Sequence, residues 1–330
     1  MNSVASRFFI FLISHRHWFR LKLKRETIDW DTSIPELRER VEKSAGMFGK
    51  LPDGIEVSPV TINGLSAEWI RPSGIPNDRT ILYFHGGGYV MGSCRAHRAI
   101  VAKFVAGTGI GALVFDYRLA PEHPFPAALD DSLAAYGWLL SQGLPPARVA
   151  FVGDSAGGGL CLATLLAIRD QGIPLPAAAV ALSPWTDLNC SGNSYERKDP
   201  LAPEGSWMVF GKYYAGENDP SLPLISPLYG DLTGLPPLLI YAGEDESMLD
   251  DATQFAEKAR NAGVSTRLHV GEGMVHCYPA LSPLFPEARE AMEDICAFLR
   301  THTDASLASV GPMHNTLFQG TLRDKAAQRP

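Results

Sequence analysis

Short apolar runs rich in β-branched and aromatic residues alternate with stretches of helical periodicity along most of this chain, and that alternation restricts the fold more than any other feature. The runs lie near 56–61, 66–71, 80–84, 111–116, 148–153, 176–182, 237–242 and 265–270, and their length and composition predict strands. Stretches near 94–107, 127–142, 157–171, 249–262 and 286–301 carry apolar residues at helical spacing. Strands and helices in alternation imply an α/β fold with a mostly parallel, eight-stranded sheet and helices on both faces. A chain of 330 residues, 45% hydrophobic and 20% charged, can build one such domain over residues 51–305.

Two segments break the alternation. One is residues 1–50, with helix-like pieces around 8–24 and 34–48; the other is residues 190–227, rich in Trp, Tyr, Pro and Gly. Ligand sites of open α/β sheets lie beyond the carboxyl ends of the strands, so both segments are expected to form a helical cap there. Residues 306–330 show little periodicity and read as a loose C-terminal tail.

A net charge of -7 and a pI near 5.7 oppose nucleic-acid binding, and the only basic run, Arg20 to Arg25, is short. The five cysteines, Cys94, Cys161, Cys190, Cys277 and Cys296, are scattered and form no CxxC pair, which argues against a disulfide scaffold or a zinc site. A reducing, cytoplasmic setting is expected. The apolar run Phe8 to Ile13 is too short for a bilayer span. With Trp18, Phe19 and basic residues after it, the run suggests an interfacial helix, but a cap helix over an apolar pocket needs the same face and is the simpler reading, so membrane association is not expected.

The strongest chemical signal is Gly153-Asp154-Ser155-Ala156-Gly157, between the apolar run Val149 to Val152 and a helical stretch. A serine at such a strand-turn-helix junction sits in a strained backbone, and Gly153 and Gly157 let strand and helix approach. The helix behind it directs its dipole and free N–H groups at the serine, where they would stabilise a developing oxyanion. A plain glycine-rich turn is the competing reading, but the P-loop lysine and the GxGxxG spacing are missing. His85-Gly86-Gly87-Gly88-Tyr89 directly follows the run Thr80 to Phe84, some 70 residues before the serine. Three glycines there can present main-chain N–H groups to a ligand, as an oxyanion loop requires.

A serine nucleophile needs a base and the base an orienting carboxylate, in the chain order Ser, Asp or Glu, His. Among nine histidines, only His276, His302 and His314 follow the last strands. His302 ends a helix and His314 lies in the tail, so His276, in the loop from Gly271, is the expected base. His269 lies within a strand, His85 belongs to the glycine loop, and His15, His17, His97 and His123 read as surface or packing residues. The run Leu238 to Gly243 leads into Glu244-Asp245-Glu246, and Asp245 is the expected carboxylate; Asp250 and Asp251 fall at a helix start, where acids commonly serve the macrodipole.

These motifs resemble the hormone-sensitive-lipase-like family of microbial esterases, in the group with a GDSAG nucleophile motif and the α/β-hydrolase fold. Asp116-Tyr117-Arg118-Leu119-Ala120-Pro121-Glu122 and Gly273-Met274-Val275-His276 add to the match, which runs over about residues 55 to 300. The resemblance implies a serine carboxylesterase acting through an acyl-enzyme, with an oxyanion hole at Gly87, Gly88 and Ala156 and neither metal nor organic cofactor. Its substrates would be short- to medium-chain acyl esters. Arg118 and Glu122 read as structural residues that hold the loop beneath the site rather than as substrate contacts. Tyr89, Trp185, Trp207, Tyr213 and Tyr214 are the aromatic candidates for an apolar substrate pocket. A hydrolase of lactones or aryl amides would use the same triad, and a non-catalytic ligand receptor on this scaffold would lack a competent histidine. An exposed edge strand would allow a homodimer.

Overall fold

The computed structural model describes residues 3–15, 27–45, 51–75, 78–197 and 199–304. Eight strands form one sheet: β1 (Ile55–Ile62), β2 (Leu65–Pro72), β3 (Thr80–Phe84), β4 (Gly111–Phe115), β5 (Val149–Asp154), β6 (Ala178–Leu182), β7 (Leu238–Gly243) and β8 (Thr266–Gly271). Their order is β1-β2-β4-β3-β5-β6-β7-β8. The β1-β2 and β2-β4 pairs are antiparallel and all others parallel. Asn63 and Gly64, both at positive φ, close the β1-β2 hairpin, as a tight primed turn requires.

The helices among the described residues are α1 (Val4–Ser14), α2 (Ile34–Ala45), α3 (Cys94–Thr108), α4 (Ala127–Ser141), α5 (Ala156–Asp170), α6 (Ser206–Ala215), α7 (Leu249–Asn261) and α8 (Pro286–Thr303). Side chains alternate across each central strand, so the sheet divides the core in two. Leu82, Phe84 and Phe151 pack with α4, α5 and α7 on one face, while Ile81, Tyr83 and Val152 pack with α3 and α8 on the other. β3 to β7 are buried along their whole length, which is why they read as continuous apolar runs.

Every expected strand and the five expected central helices are present, with ends within two residues of the expected ones. Of the N-terminal pieces expected near 8–24 and 34–48, α1 covers the start of the first and α2 most of the second; residues 16–26, 46–50 and 305–330, which include the rest of both pieces and the expected tail, lie outside the described residues. Within 190–227 the structure adds α6, which the sequence reading did not assign. Its Trp207, Phe210 and Tyr214 recur at helical spacing, a signal masked by the neighbouring glycines and prolines. No helix among the described residues is long and apolar enough to cross a membrane.

The register brings five strand ends to one edge, pairing Phe84 with Gly153, Asp154 with Leu182, Leu182 with Tyr241, and Gly243 with Gly271. Phe151 anchors the middle of this array, fully buried with ring centroids 5.0 Å from those of both Phe84 and Tyr136. Phe151→Ala is expected to destabilise the protein by about 3–5 kcal/mol, read as a lower denaturant midpoint at unchanged slope; a loss below about 1 kcal/mol would contradict this packing.

Candidate active site

β5 ends at Asp154 and α5 begins at Ala156, so Ser155 occupies the turn alone, with φ 56° and ψ -125°. A non-glycine residue at positive φ is strained, and here the strain is held by hydrogen bonds on both sides of the serine. Its N–H donates to the Leu182 carbonyl at 2.8 Å, and its carbonyl accepts from Trp185 N–H at 3.1 Å. The helix passes so close to the end of β3 that a Cβ on Gly157 would lie 2.1 Å from the Phe84 carbonyl oxygen. Only glycine fits there, as the sequence motif requires.

The glycine loop leaves β3 beside this turn. Gly87 and Gly88 take φ values of 119° and 63°. Among the described residues, the N–H groups of neither donate to a protein acceptor. Ala156 is the first residue of α5, so its N–H points out of the helix start with no carbonyl a turn earlier to accept it.

His276 approaches from the loop after β8. The main chain ties that loop to the end of β6: Cys277 N–H donates to Ser183 Oγ at 2.9 Å, and the Cys277 thiol faces the Leu182 carbonyl at 3.5 Å. The Leu182 carbonyl therefore receives both Ser155 and the residue after His276. Ser183 had no role in the sequence reading, and the sequence around it carries no signal beyond a strand end.

The carboxylate on His276 is Glu246, not the expected Asp245. Glu246 Oε2 lies 3.0 Å from His276 Nδ1, and Glu246 is fully buried. Asp245 is exposed. Its N–H donates to the Met274 carbonyl at 2.9 Å, and Glu244 N–H donates to the Gly271 carbonyl at 2.9 Å. That pairing fixes the turn so that the side chain after Asp245 enters the site, and Glu has the extra methylene to reach the ring. Asp199 steadies the turn by accepting Ser247 N–H at 3.1 Å. Asp251 is also no mere dipole partner, since its carboxylate accepts Thr186 and Asp187 N–H at 2.7 and 2.8 Å and so pins the loop after β6.

Burial by itself would lower the pKa of His276, but its neighbours outweigh burial and hold it well above the ordinary imidazole value. Cys277 and Glu246 both face the ring. Cys277 favours the charged ring the more strongly of the two and Glu246 adds to it, while burial raises the Cys277 thiol itself.

The aromatic candidates separate into two layers. Tyr89, Trp185 and Tyr214 are at most 1% exposed, and the two tyrosine rings stack at 3.7 Å. They therefore support the site from beneath and do not line an open pocket, which corrects the expectation for all three. Trp207 and Tyr213 are partly exposed. The Trp207 ring lies 6.1 Å from His276. Phe210, not anticipated, lies against the glycine loop, where a Cβ on Gly88 would come within 2.5 Å of its ring. Arg118 pairs with Asp131 at 2.8 Å and Glu122 with Arg38 at 2.7 Å, away from the reacting groups. No three His, Cys, Asp or Glu side chains among the described residues are grouped to hold a metal ion.

Residues 81–280 match the family described as alpha/beta hydrolase fold. The chain belongs to that family, in the branch of the bacterial hormone-sensitive lipases. An acetyl-hydrolase of Streptomyces hygroscopicus is 42% identical over 298 residues, covering 87% of this chain and 98% of that protein. An esterase of Acinetobacter venetianus is 33% identical over 291 residues, covering 86% and 95%. The crystal structure of an esterase from the bacterial hormone-sensitive lipase family superposes with a TM-score of 0.83 at 40% identity, covering 92% of this chain and 99% of that one.

Glu246→Gln is expected to lower kcat by about 10³- to 10⁴-fold. Because Glu246 stabilises the imidazolium, its loss also moves the acidic limb of kcat/KM to lower pH, whereas Asp245→Asn leaves both rate and profile near wild type. Parallel pH-rate profiles check this, and a larger loss in Asp245→Asn would restore the original expectation.

Proposed function

We propose that the protein is a carboxylic-ester hydrolase in which Ser155 attacks the ester carbonyl, His276 takes and returns the proton, and Glu246 holds the imidazole in its reactive tautomer. The observation that carries this reading is the shared anchorage of the two reacting segments on the end of β6, through the Leu182 carbonyl and the Ser183 hydroxyl. The unengaged N–H groups of Gly87 and Gly88 and the free N–H at the start of α5 support an oxyanion hole at Gly87, Gly88 and Ala156. Water then releases the acyl group from Ser155.

We further propose that the N-terminal segment and α6 form the cap. The Ile28 N–H donates to the Glu204 carbonyl at 2.8 Å, and the Trp30 ring meets Tyr213 at 5.8 Å. Arg38 in α2 donates to the Val90 carbonyl at 2.7 Å, bracing the glycine loop from outside. Phe210 against Gly88 and Trp207 beside His276 support an apolar acyl site, in keeping with short and medium acyl chains. All five cysteines are free thiols, in keeping with a reducing cytoplasm. Among the described residues no strand pairs with the outer edge of β8, which supports pairing with a second copy.

Ser155→Ala should lower kcat for p-nitrophenyl acyl esters on the order of 10³-fold or more. Wild-type rates across a chain-length series should favour short and medium chains over long ones. Hydrolysis by Ser155→Ala at the wild-type rate would overturn the assignment.

A further inference from the structure

Asp154, the residue before Ser155, has a side chain only 11% exposed and lies against the glycine loop. Its Oδ1 accepts the Tyr83 hydroxyl at 2.8 Å and Gly86 N–H at 3.0 Å. The contact is close enough that a Cβ on Gly86 would lie 2.3 Å from Oδ2. The first turn of α3 brings His97 Nε2 to 3.7 Å from the same Oδ2, with its side chain 12% exposed. His97 Nδ1 faces the Ser93 carbonyl at 3.2 Å and must carry a proton to bond it. A proton on Nε2 as well makes the ring an imidazolium, and the contact with Asp154 is then an ion pair.

We propose that Asp154 and His97 form a buried ion pair that positions the glycine loop, so that the charge on His97 sets the alignment of the oxyanion donors and thereby kcat. The inference rests on the reading of Gly87 and Gly88 as those donors. Both residues are positioning residues; neither touches the reacting atoms. The pair acts on the loop through Gly86 N–H, one residue before Gly87, and on the nucleophile through the chain itself.

The surroundings direct the proton to His97. His97 stacks on His85 at 5.2 Å, and His85 on Tyr117 at 4.1 Å. Burial, with His97 beside it, holds His85 at a pKa of about 3, so it is neutral. Burial also disfavours charge on His97, but Asp154 outweighs it, with help from the Ser93 carbonyl and Glu42 of α2, and raises its pKa. Asp154 is depressed although burial alone would raise it, because His97 and the Tyr83 hydroxyl favour the carboxylate. Tyr83, Tyr117 and Cys277, each raised by burial, are further titratable groups near the pair, and all three are neutral at ordinary pH. The pair is thus complete below the ordinary imidazole pKa and is lost as pH rises through the raised value of His97. Its loss as pH falls requires the depressed pKa of Asp154. The loop should therefore loosen at alkaline pH.

The test compares wild type with His97→Gln, His97→Lys and Asp154→Asn, after circular dichroism confirms folding. A fluorophosphonate probe first reports whether Ser155 is reactive, and pH profiles of kcat and KM follow. In the proposal wild type labels at Ser155 and shows an alkaline fall in kcat. His97→Gln and Asp154→Asn lose about 10- to 100-fold in kcat at neutral pH with little change in KM, because oxyanion contacts act in the transition state. His97→Lys, which keeps the charge, restores most of kcat and moves the alkaline fall to higher pH. Equal, pH-independent losses in Gln and Lys variants, or unchanged kcat in Asp154→Asn, overturn the proposal alone. No labelling of wild type at Ser155 overturns the underlying assignment as well.

Discussion

The end of β6 carries the constraint on which the site depends. Leu182 is the last residue of a fully buried central strand, and its carbonyl, which has no further strand to bond, accepts Ser155 N–H and faces the Cys277 thiol. Ser183, the next residue, donates its own N–H to Tyr241 and accepts Cys277 N–H on its hydroxyl. Two segments separated by more than a hundred residues are thereby held by the last residue of one rigid strand and the residue that follows it. Sites built on strand ends are positioned more accurately than sites on free loops, since the sheet transmits no slack.

Around that anchor the fold places charge where it can be held. Glu246 is fully buried yet sits beside an imidazole that it stabilises as a cation. Asp154 is buried with three partners on three elements, and Asp251 with two backbone N–H groups. Buried carboxylates are costly unless hydrogen-bonded or paired. Here each one ties a loop at the strand ends to the sheet or to a helix. The acids that read as decoration around a serine motif are largely the fasteners of the loops that shape it.

Much of this was legible in the sequence. Short apolar runs marked the eight strands, most clearly the central ones that are buried on both faces, and the GDSAG and HGGG segments are legible because no other residues satisfy the steric demands at Gly157 or the positive φ at Gly87 and Gly88. What could not be read is the direction of side chains in irregular turns. Three consecutive acids end the Gly243 turn, and their order along the chain says nothing of which faces inward; the pairing of Asp245 N–H with Met274 decides that. In the same way, Tyr89, Trp185 and Tyr214 are aromatic whether they line a pocket or support one. His97 looked like a packing residue because its partner, Asp154, lies in a motif where attention falls on the serine.

The central claim is that Ser155, His276 and the N–H groups of Gly87, Gly88 and Ala156 converge on one tetrahedral centre at the strand ends. A crystal structure of the protein inactivated by a p-nitrophenyl alkylphosphonate tests it directly. Phosphorus should be bonded to Ser155 Oγ, with one phosphonyl oxygen within hydrogen-bond distance of the three N–H groups and His276 Nε2 close to the ester oxygen. A phosphonyl oxygen directed away from the glycine loop, or an adduct on another residue, would contradict the account.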